Sequence, residues 1–417
     1  LVGGECPYYA CVPTKMMIRG SDLLAEGRRI SGMSGESSVR PDWTPVARRL
    51  REEATDNWND KVAVERFEQK GGRFVRGSGR FEAPDRVSAG NGAVFHARRA
   101  VVVATGTAPA VPPIEGLHDA RYWTNREAVK TERVPETLAV LGGGPVGLEM
   151  AQAFSRFGSR VTVIEAGDRL LALDEPESSQ LIADVFKREG IEVRTGASAQ
   201  GVSSNGGITV SLSDGSSVTA ETLLVATGRR NNLAALQLGK AALDENARSL
   251  QVDEHLRVAP GIWAVGDVTG KGAFTHVSMY QAEIATADIL GRNHAPADYR
   301  ALPRVTFTDP EIGSTGMSEK AARESGINVR TGHANIATTT RGWIHKVGND
   351  GFIKLVEDAD RGVLIGATSA GPVGGEVLSM LTVAVHAEVP VSTLRTMITA
   401  YPTFHRGLDD ALRDLER

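Results

Sequence analysis

The chain has 417 residues, 41% hydrophobic and 24% charged, and this length predicts about two to four packed domains. The composition excludes a disordered, collagen-like or coiled-coil chain. The formal net charge of −4 favours neither a nucleic-acid partner nor an anionic membrane surface. No apolar run is long enough to cross a membrane. With only two cysteines the chain is not a secreted disulfide scaffold, and a reducing, cytoplasmic location is expected.

The pattern along the chain predicts several α/β units. Residues 21–69 have a helical pattern, and short strands follow from residue 71, ending in an apolar strand that leads into the turn Thr105–Gly106. After a proline-rich linker, residues 137–164 show a strand, a glycine turn, a helix and a second strand. Another apolar strand ends in the turn Thr227–Gly228, so the two domains are expected to share a plan. Strands and helices from residue 303 onward predict a third unit.

The two cysteines form the first chemical motif. Cys6 and Cys11 lie five residues apart beside a potential helix start, with Lys15 nearby. A helix N-terminus and a neighbouring lysine both lower a thiol pKa, and two such thiols can alternate between dithiol and disulfide. The alternative is a pair of structural thiols or half of a metal site. No second Cys or Cys/His pair with metal spacing is present, so no metal site is predicted.

The second motif is a glycine fingerprint at residues 142–147. Gly142, Gly144 and Gly147 match G-x-G-x-x-G directly after a strand and at the start of a helix, where a backbone can approach a pyrophosphate. Glu165 follows 23 residues after Gly142, at the end of the next strand, where a carboxylate accepts hydrogen bonds from a ribose hydroxyl. This pattern favours NAD over NADP, although Arg169 nearby keeps NADP open.

The third motif is a strand that ends in Gly266–Asp267. Its carboxylate is placed to accept from a sugar or ribityl hydroxyl. Taken alone, an ordinary Asp-containing turn explains it better.

Together these motifs occur in the order found in class I flavoprotein disulfide oxidoreductases, and the chain resembles the dihydrolipoamide dehydrogenase branch of that family. The likeness runs from Gly3 to about Leu412 and includes residues 303–313, similar to the opening of the family's dimerisation domain. It implies two Rossmann-like dinucleotide-binding domains and a C-terminal α+β dimerisation domain. The implied segments are 1–118 and 241–300 for FAD, 119–240 for NAD(P) and 301–417 for a homodimer interface.

The resemblance also implies roles for single residues. Cys11 would face the flavin and Cys6 would exchange with substrate, while Lys15 would approach the flavin and pair with Glu149. The residues implied to contact FAD are Gly3, Gly4, Lys15, Gly79, Thr105, Gly106, Gly266, Asp267 and His276. Those implied to contact the nicotinamide cofactor are Gly142, Gly144, Gly147, Glu165 and Gly228. Glu149 is also implied to be a cofactor-binding residue.

The sequence departs from the family at both ends. Family members begin with a strand, a glycine fingerprint and a helix that hold the ADP part of FAD. The sequence begins at Leu1 without these elements, so we expect it to be a fragment that lacks the N-terminal segment of a longer protein. Near the C-terminus, the usual His-Pro-Thr followed by Glu is replaced by residues 401–406, with Tyr401 for the His and Arg406 for the Glu.

This replacement removes the family's usual base. A tyrosine with an ordinary pKa of about 10 deprotonates a dithiol poorly at neutral pH, whereas a histidine near 6.5 is well matched. His405, about one helical turn further on, would substitute only if the helix were rotated or shifted. The chain also has no third cysteine, which disfavours a mercuric reductase with a vicinal C-terminal pair.

Three functions remain open. The leading hypothesis is hydride transfer between NAD(P)H, FAD and the Cys6–Cys11 pair, with a small-molecule disulfide or dithiol as substrate. The second is reduction of quinones or metal ions, acceptors that need less help from a base. The third is a flavin-free remnant that acts as an interaction protein.

Overall fold

The computed structural model of the chain describes residues 1–90, 92–204 and 206–416. Its helices are α1 (Glu5–Tyr8), α2 (Cys11–Arg28), α3 (Thr44–Arg49), α4 (Lys61–Gln69), α5 (Asn125–Ala128), α6 (Pro145–Arg156), α7 (Pro176–Arg188), α8 (Thr275–Ile289), α9 (Glu319–Glu324), α10 (Thr340–His345), α11 (Gly374–His386), α12 (Val391–Arg395) and α13 (Gly407–Asp414). Its strands are β1 (Arg80–Ala83), β2 (Arg86–Ser88), β3 (Val94–His96), β4 (Val101–Val103), β5 (Thr107–Pro109), β6 (Thr137–Leu141), β7 (Arg160–Ile164), β8 (Glu192–Arg194), β9 (Ala199–Ser204), β10 (Ile208–Leu212), β11 (Ser217–Ala220), β12 (Thr222–Val225), β13 (Arg229–Asn231), β14 (Arg257–Ala259), β15 (Ile262–Ala264), β16 (Pro303–Thr306), β17 (Glu311–Gly316), β18 (Val329–Asn335), β19 (Phe352–Asp358) and β20 (Val363–Gly371). The predicted α/β fold class is confirmed.

The first compact unit is built from three separate stretches of chain: Leu1–Tyr8, Thr55–Ala110 and Gly228–Tyr299. It holds the antiparallel sheet β1-β2-β3, the antiparallel pair β5 and β13, and the sheet β14-β15-β4. In the last sheet β15 and β4 run parallel. Buried apolar residues of β1, β4 and β15 form the core of this unit, together with leucines of the segment 233–250.

The second unit comprises Tyr9–Ala54, Val111–Thr227 and Arg300–Arg417. Its parallel sheet has the order β12-β6-β7-β8, with α6 connecting β6 to β7 and α7 connecting β7 to β8. Residues 138–141 and 222–225 are continuously buried, as expected for parallel strands covered on both faces. The predicted strand, turn, helix and strand at 137–164 are therefore observed as β6, α6 and β7.

The same unit contains two antiparallel sheets. One has the order β11-β10-β9 and the other the order β16-β17-β20-β19-β18. Buried residues of β19 and β20, two strands of the larger sheet, pack with residues of α11 and α13 in one hydrophobic cluster. The domain boundaries expected at residues 118, 240 and 300 stay a prediction.

Candidate functional site

Each cysteine lies in a helical stretch near the N-terminal end of the sequence. Cys6 is the second residue of α1 and is half-buried, whereas Cys11 is the first residue of α2 and is exposed. Pro13 lies in the first turn of α2, where its missing N–H interrupts no helical hydrogen bond. The Thr14 N–H donates to the Ala10 carbonyl over 2.9 Å, so the helix begins at Cys11. The Cys11 thiol therefore lies at the N-terminal end of α2, where the partial positive charge of the helix accumulates.

Lys15 lies one turn after Cys11 and pairs with Glu149 of α6. The distance from Lys15 Nζ to Glu149 Oε2 is 2.6 Å, and the Glu149 side chain is only 6% exposed against 35% for Lys15. The other oxygen, Oε1, accepts the backbone N–H of Phe307 over 2.9 Å. The Lys15 ammonium also lies 4.6 Å from the centroid of the Phe307 ring. Glu149 is thus compensated at both oxygens despite its burial, and the pair fixes the direction of the Lys15 side chain.

The three glycines of the fingerprint differ in what the structure gains from a missing side chain. A Cβ on Gly142, which has a φ of +111°, would lie 2.4 Å from the Ala226 carbonyl oxygen, and one on Gly147 would lie 2.2 Å from the Gly142 oxygen. These two positions need glycine so that the strand, turn and helix can pack closely. A Cβ on Gly144, the N-cap of α6, would meet no atom within 4 Å. Gly144 therefore leaves open the surface through which a pyrophosphate can approach the helix.

Glu165 follows β7 and holds the glycine turn. One carboxylate oxygen accepts the N–H of Gly143 and the other accepts the N–H of Gly167, each over 2.6 Å. Each oxygen retains a second acceptor direction, which matches the requirement for a ribose hydroxyl. The Arg169 guanidinium, in contrast, is engaged by its own loop. It donates to the carbonyls of Leu171, Ala172 and Asp174 and to the hydroxyl of Ser179.

Asp267 lies in a hydrogen-bonded cluster of the first unit. Its Oδ2 accepts the hydroxyl of Thr107 over 2.5 Å, and the Arg229 Nε lies 3.8 Å from the same oxygen. Arg229 also donates to the hydroxyl and carbonyl oxygens of Thr107 over 2.6 and 3.0 Å. Glu5 Oε2 lies 3.9 Å from Nη2 of the same guanidinium. The cluster orients the Asp267 carboxylate and keeps a cation beside it.

Two turns of the first unit have the left-handed backbone that favours glycine. Gly106 has a φ of +61° and Gly228 a φ of +117°, and a Cβ on either would meet no atom within 4 Å. Gly266, directly before Asp267, has a φ of +82°, and its N–H donates to the buried Gln281 over 2.6 Å. Gly106 and Gly228 are thus open to a large cofactor, whereas a Cβ on Gly266 would lie 3.4 Å from the Ser278 hydroxyl oxygen.

The remaining implied cofactor residues are all at or near the surface. Thr105 accepts the Asn232 side-chain amide with its carbonyl over 3.0 Å, and Gly79 directly precedes β1. Gly3 and Gly4 form a turn of positive φ before α1, and exposed His276 stacks on Phe274 near the start of α8. Their contacts with a cofactor stay a prediction.

The C-terminal residues proposed to replace the family's base lie in the second unit. The Tyr401 side chain is 65% exposed, and its hydroxyl lies 3.3 Å from the Thr340 hydroxyl. The Arg406 guanidinium lies 5.4 Å from the Tyr401 ring centroid, and Arg406 also pairs with Asp409. His405 is half-buried in a 3-10 turn, Phe404–Arg406. A proton-transfer role for Tyr401 or His405 stays a prediction.

Several residues of these clusters were not predicted from the sequence. Arg229 and Thr107 flank the two Thr-Gly turns and could have been found from that position, whereas Gln281 lies in the middle of α8 without a local signal. Phe307 contacts both members of the Lys15–Glu149 pair but is distant from them in sequence. Only the tertiary fold brings it there.

The residues present fit the two cofactors that the motifs predict. For a dinucleotide, the open N-cap at Gly144 and the turn carboxylate of Glu165 provide space and hydrogen-bond acceptors. For a flavin dinucleotide, Gly106 leaves space in the first unit and Asp267 offers an oriented carboxylate. Backbone N–H groups at a helix N-terminus suit a pyrophosphate, and carboxylate acceptors suit the hydroxyls of a ribose or a polyol.

Comparison with known protein families agrees with this chemistry. Residues 1–282 match the pyridine nucleotide-disulphide oxidoreductase family, and residues 302–412 match the dimerisation domain of pyridine nucleotide-disulphide oxidoreductases. The chain belongs to this family. It is therefore an oxidoreductase of a family that uses FAD and takes electrons from NAD(P)H, and it carries the family's dimerisation domain.

Curated relatives carry more than one activity. The chain is 32% identical to a mercuric reductase of Acidithiobacillus ferrooxidans, over 100% of this chain and 77% of that protein. It is 30% identical to a dihydrolipoyl dehydrogenase of Thermus scotoductus, over 100% of this chain and 90% of that protein. A mercuric reductase of Bacillus cereus, also 30% identical, is covered over 66% of its length.

Solved structures share the fold over almost the whole chain. LpdA from Mycobacterium tuberculosis superposes with a TM-score of 0.87 at 26% identity, covering 99% of this chain and 92% of that one. The HOCl-induced flavoprotein disulfide reductase RclA from Escherichia coli superposes with a TM-score of 0.85 at 25% identity, covering 99% of this chain and 91% of that one.

Within the described residues, no helix is both long and apolar enough to span a bilayer.

Proposed function

We propose that the protein is an FAD-dependent NAD(P)H:disulfide oxidoreductase whose Cys6 and Cys11 form the redox-active pair. Gly106 and Asp267 would help to hold FAD, whose chemistry when bound is to relay the two electrons of a nicotinamide hydride to the disulfide. With the proton of that hydride and a second proton from solvent, the Cys6–Cys11 bond would open to two thiols. Cys6 would then exchange with a small-molecule disulfide, while Cys11 would stay beside the flavin. The reverse direction would oxidise a dithiol.

The Lys15–Glu149 pair is the observation that carries this proposal. A lysine on the helix that begins with Cys11 is held at 2.6 Å by a carboxylate on the helix of the glycine fingerprint. One ion pair thus links the thiol-bearing helix to the nucleotide-binding motif within the second unit. A positive charge held near the N-terminal turn of α2 favours a thiolate over a thiol.

The turn after β7 supports NADH as the preferred donor. The Glu165 carboxylate suits the hydroxyls of an unphosphorylated ribose and would repel a 2′-phosphate. Arg169 uses both terminal nitrogens on acceptors of its own loop and on Ser179 of α7, so it offers no ready partner for that phosphate. We expect kcat/KM to be about tenfold or more higher for NADH than for NADPH.

Anaerobic reduction of the full-length, flavin-loaded protein tests the proposal. NADH should produce a long-wavelength absorption band of a thiolate beside the flavin. Because Cys11 is the thiol assigned to the flavin, the band should disappear in Cys11→Ser. The matched variant Cys6→Ser, which removes only the exchange thiol, should keep a band.

Two results would contradict the proposal in different ways. Loss of the flavin absorbance without any new band would mean that hydride arrives but the cysteines do not share the electrons. A folded, colourless full-length protein that takes up no added FAD would favour the interaction remnant.

The mercuric reductases among the relatives favour a second candidate, reduction of metal ions, with quinones as further acceptors. Such acceptors need little help from a base, which suits an exposed Tyr401 where the family usually has a histidine. A panel of lipoamide, glutathione disulfide, Hg(II) and a benzoquinone separates these functions. Turnover of quinone alone, surviving in a Cys6→Ser/Cys11→Ser double variant, would replace the disulfide proposal.

A further inference from the structure

Three metal-ligating side chains meet in the first unit, away from the cysteines in sequence. His255 precedes β14, Asp288 lies in the last turn of α8, and His294 follows that helix. One candidate ligand atom from each residue lies within 4.8 Å of the other two, and all three residues are half-buried. We propose that these residues bind a divalent transition-metal ion of borderline softness, such as Zn(II), through two imidazole nitrogens and one carboxylate oxygen.

The orientation of His294 suits this role. Its Nδ1 lies 2.9 Å from the Ala295 carbonyl oxygen, which favours a proton on Nδ1 and leaves the lone pair on Nε2. Nε2 lies 3.5 Å from Asp288 Oδ1. A backbone carbonyl that holds the non-coordinating nitrogen is the usual support for a metal-bound histidine.

His255 supplies an independent observation. Its Nδ1 is buried and lacks a hydrogen-bond partner in the described part of the chain. Its Nε2 lies 3.6 Å from Glu254 Oε1, so Nε2 can carry the proton while Nδ1 coordinates. A bound ion would satisfy a buried polar atom that otherwise costs free energy. The two imidazole rings cross nearly at right angles, at 88°, with centroids 5.0 Å apart.

The backbone holds the two histidine loops together. The Ala297 N–H donates to the Glu254 carbonyl over 2.8 Å, and the Asp253 carboxylate accepts the N–H groups of His255 and Arg257. Ligand atoms on a tetrahedral zinc ion are about 3.3 Å apart, so binding requires the side chains to close by up to about 1.5 Å. Side-chain rotation on a fixed backbone supplies such a movement.

Arg257 is the competitor for this site. Its guanidinium holds Asp288 through Nε to Oδ2 at 2.6 Å and Nη2 to Oδ1 at 2.5 Å, and its side chain is 50% exposed. The Trp263 indole N–H also donates to Oδ2 over 2.9 Å. A metal would displace Nη2 from Oδ1, while Trp263 keeps the carboxylate oriented through Oδ2. Removing the guanidinium should therefore strengthen metal binding.

Zinc titration in the absence of the redox thiols tests the proposal. The tag-free, chelator-treated full-length protein with Cys6→Ser and Cys11→Ser is titrated with Zn(II) against a chromophoric chelator. We expect one equivalent to bind, with the affinity reduced roughly 100-fold or more in His255→Gln and in His294→Gln. Arg257→Gln should raise the affinity about tenfold. The matched variant His96→Gln, an exposed histidine of the same unit, should bind as the parent does.

Two further readouts keep the test decisive. Co(II) should give visible absorption bands in the parent that His294→Gln loses, and Zn(II) should raise the melting temperature of the parent but not of that variant. If a histidine variant does not fold, the isosteric Asp288→Asn takes its place. Absence of stoichiometric binding, or equal binding in the histidine variants and the parent, would overturn the proposal.

Discussion

Two lysines of the second unit are held by glutamates in opposite ways. Lys15 has one carboxylate partner, Glu149, and its side chain stays 35% exposed. Lys354 on β19 is 6% exposed and lies within 3.0 Å of three carboxylates, those of Glu175, Glu177 and Glu319. Burial alone would lower the pKa of Lys354, but its hydrogen bonds to the three carboxylates raise it above its ordinary value.

Under the proposed function, the difference separates a structural centre from a chemical one. At Lys354 every donor direction is used inside the protein, so the ammonium ties α7, α9 and β19 together and is closed to substrate. At Lys15 the buried member is the carboxylate, and the ammonium remains partly accessible. A residue that must approach a cofactor needs the second arrangement, because a fully enclosed charge has no surface to offer.

The largest expected effect is on the structural centre. Lys354→Met should lower the free energy of unfolding by about 3–5 kcal/mol, because clustered carboxylates lose their common cation in a buried place. Chemical denaturation at pH 7 measures this loss. The matched variant Lys320→Met removes an exposed lysine paired with Glu324 and should change stability little. A loss of less than about 1 kcal/mol in Lys354→Met would abolish the contrast.

The chemical centre should respond mainly in rate. Glu149→Gln keeps the size of the side chain but removes the charge that holds Lys15, so NADH-dependent dithiol formation should slow by roughly 10- to 100-fold. Rapid-reaction spectroscopy of the flavin-loaded protein measures the rate, and thermal melting measures the accompanying loss of stability. Glu132→Gln, at an exposed partner of Arg51, is the control. A variant that melts early but reacts at the parent's rate would make Glu149 structural.

A third charged cluster, around Arg156, extends the comparison to the pH dependence of stability. The buried Arg156 contacts Asp22, Glu189 and Asp309, and burial raises the pKa of Asp22 to about 6 despite the attraction of Arg156. Because this pKa exceeds the ordinary 3.8, the folded state holds the proton more tightly, and stability falls as pH rises from about 4 to about 6.

Replacement of Asp22 by a neutral isostere tests this sign. Asp22→Asn should be about 1–2 kcal/mol more stable than the parent at pH 8, a figure reduced for the partial exposure of the side chain, and should lose that advantage at pH 4. Denaturant titrations at both pH values measure the difference. An advantage of equal size at pH 4 and pH 8 would exclude titration of Asp22 as its cause.

The smallest effect is expected at the rim of the Lys354 cluster. The hydrogen bond from Lys354 lowers the pKa of Glu319, so its contribution is present above its ordinary pKa and is lost as pH falls through the lowered value. Glu319→Gln should cost about 0.5–1 kcal/mol at pH 7, since two other carboxylates remain on Lys354. Melting temperatures at pH 7 and pH 3 measure it, with Glu324→Gln as the exposed control. A cost that persists at pH 3 would assign it to packing.

Much of the fold was predictable because its signals are local. The apolar strand before the fingerprint, the glycines of the turn and the acid at Glu165 all lie within 30 residues, and they form β6, α6 and β7 as expected. Other features were not accessible in this way. The Ala-rich composition of residues 279–290 predicts a helix, but α8 begins one turn earlier, at Thr275, because composition does not define where a helix ends.

The sequence by itself determined the family, the order of the motifs and the residues that the chemistry requires, because close backbone turns and redox thiols tolerate few residue types. Apart from the Lys15–Glu149 pair, which the family resemblance implied, only the tertiary structure decided which charges meet. Glu149 and Phe307 are 158 residues apart, and Glu175 and Lys354 are 179 apart, yet each pair is in hydrogen-bond contact. Long-range ion pairs depend on the packing of whole elements, since a glutamate or lysine is compatible with many surface positions and only burial makes its partner obligatory.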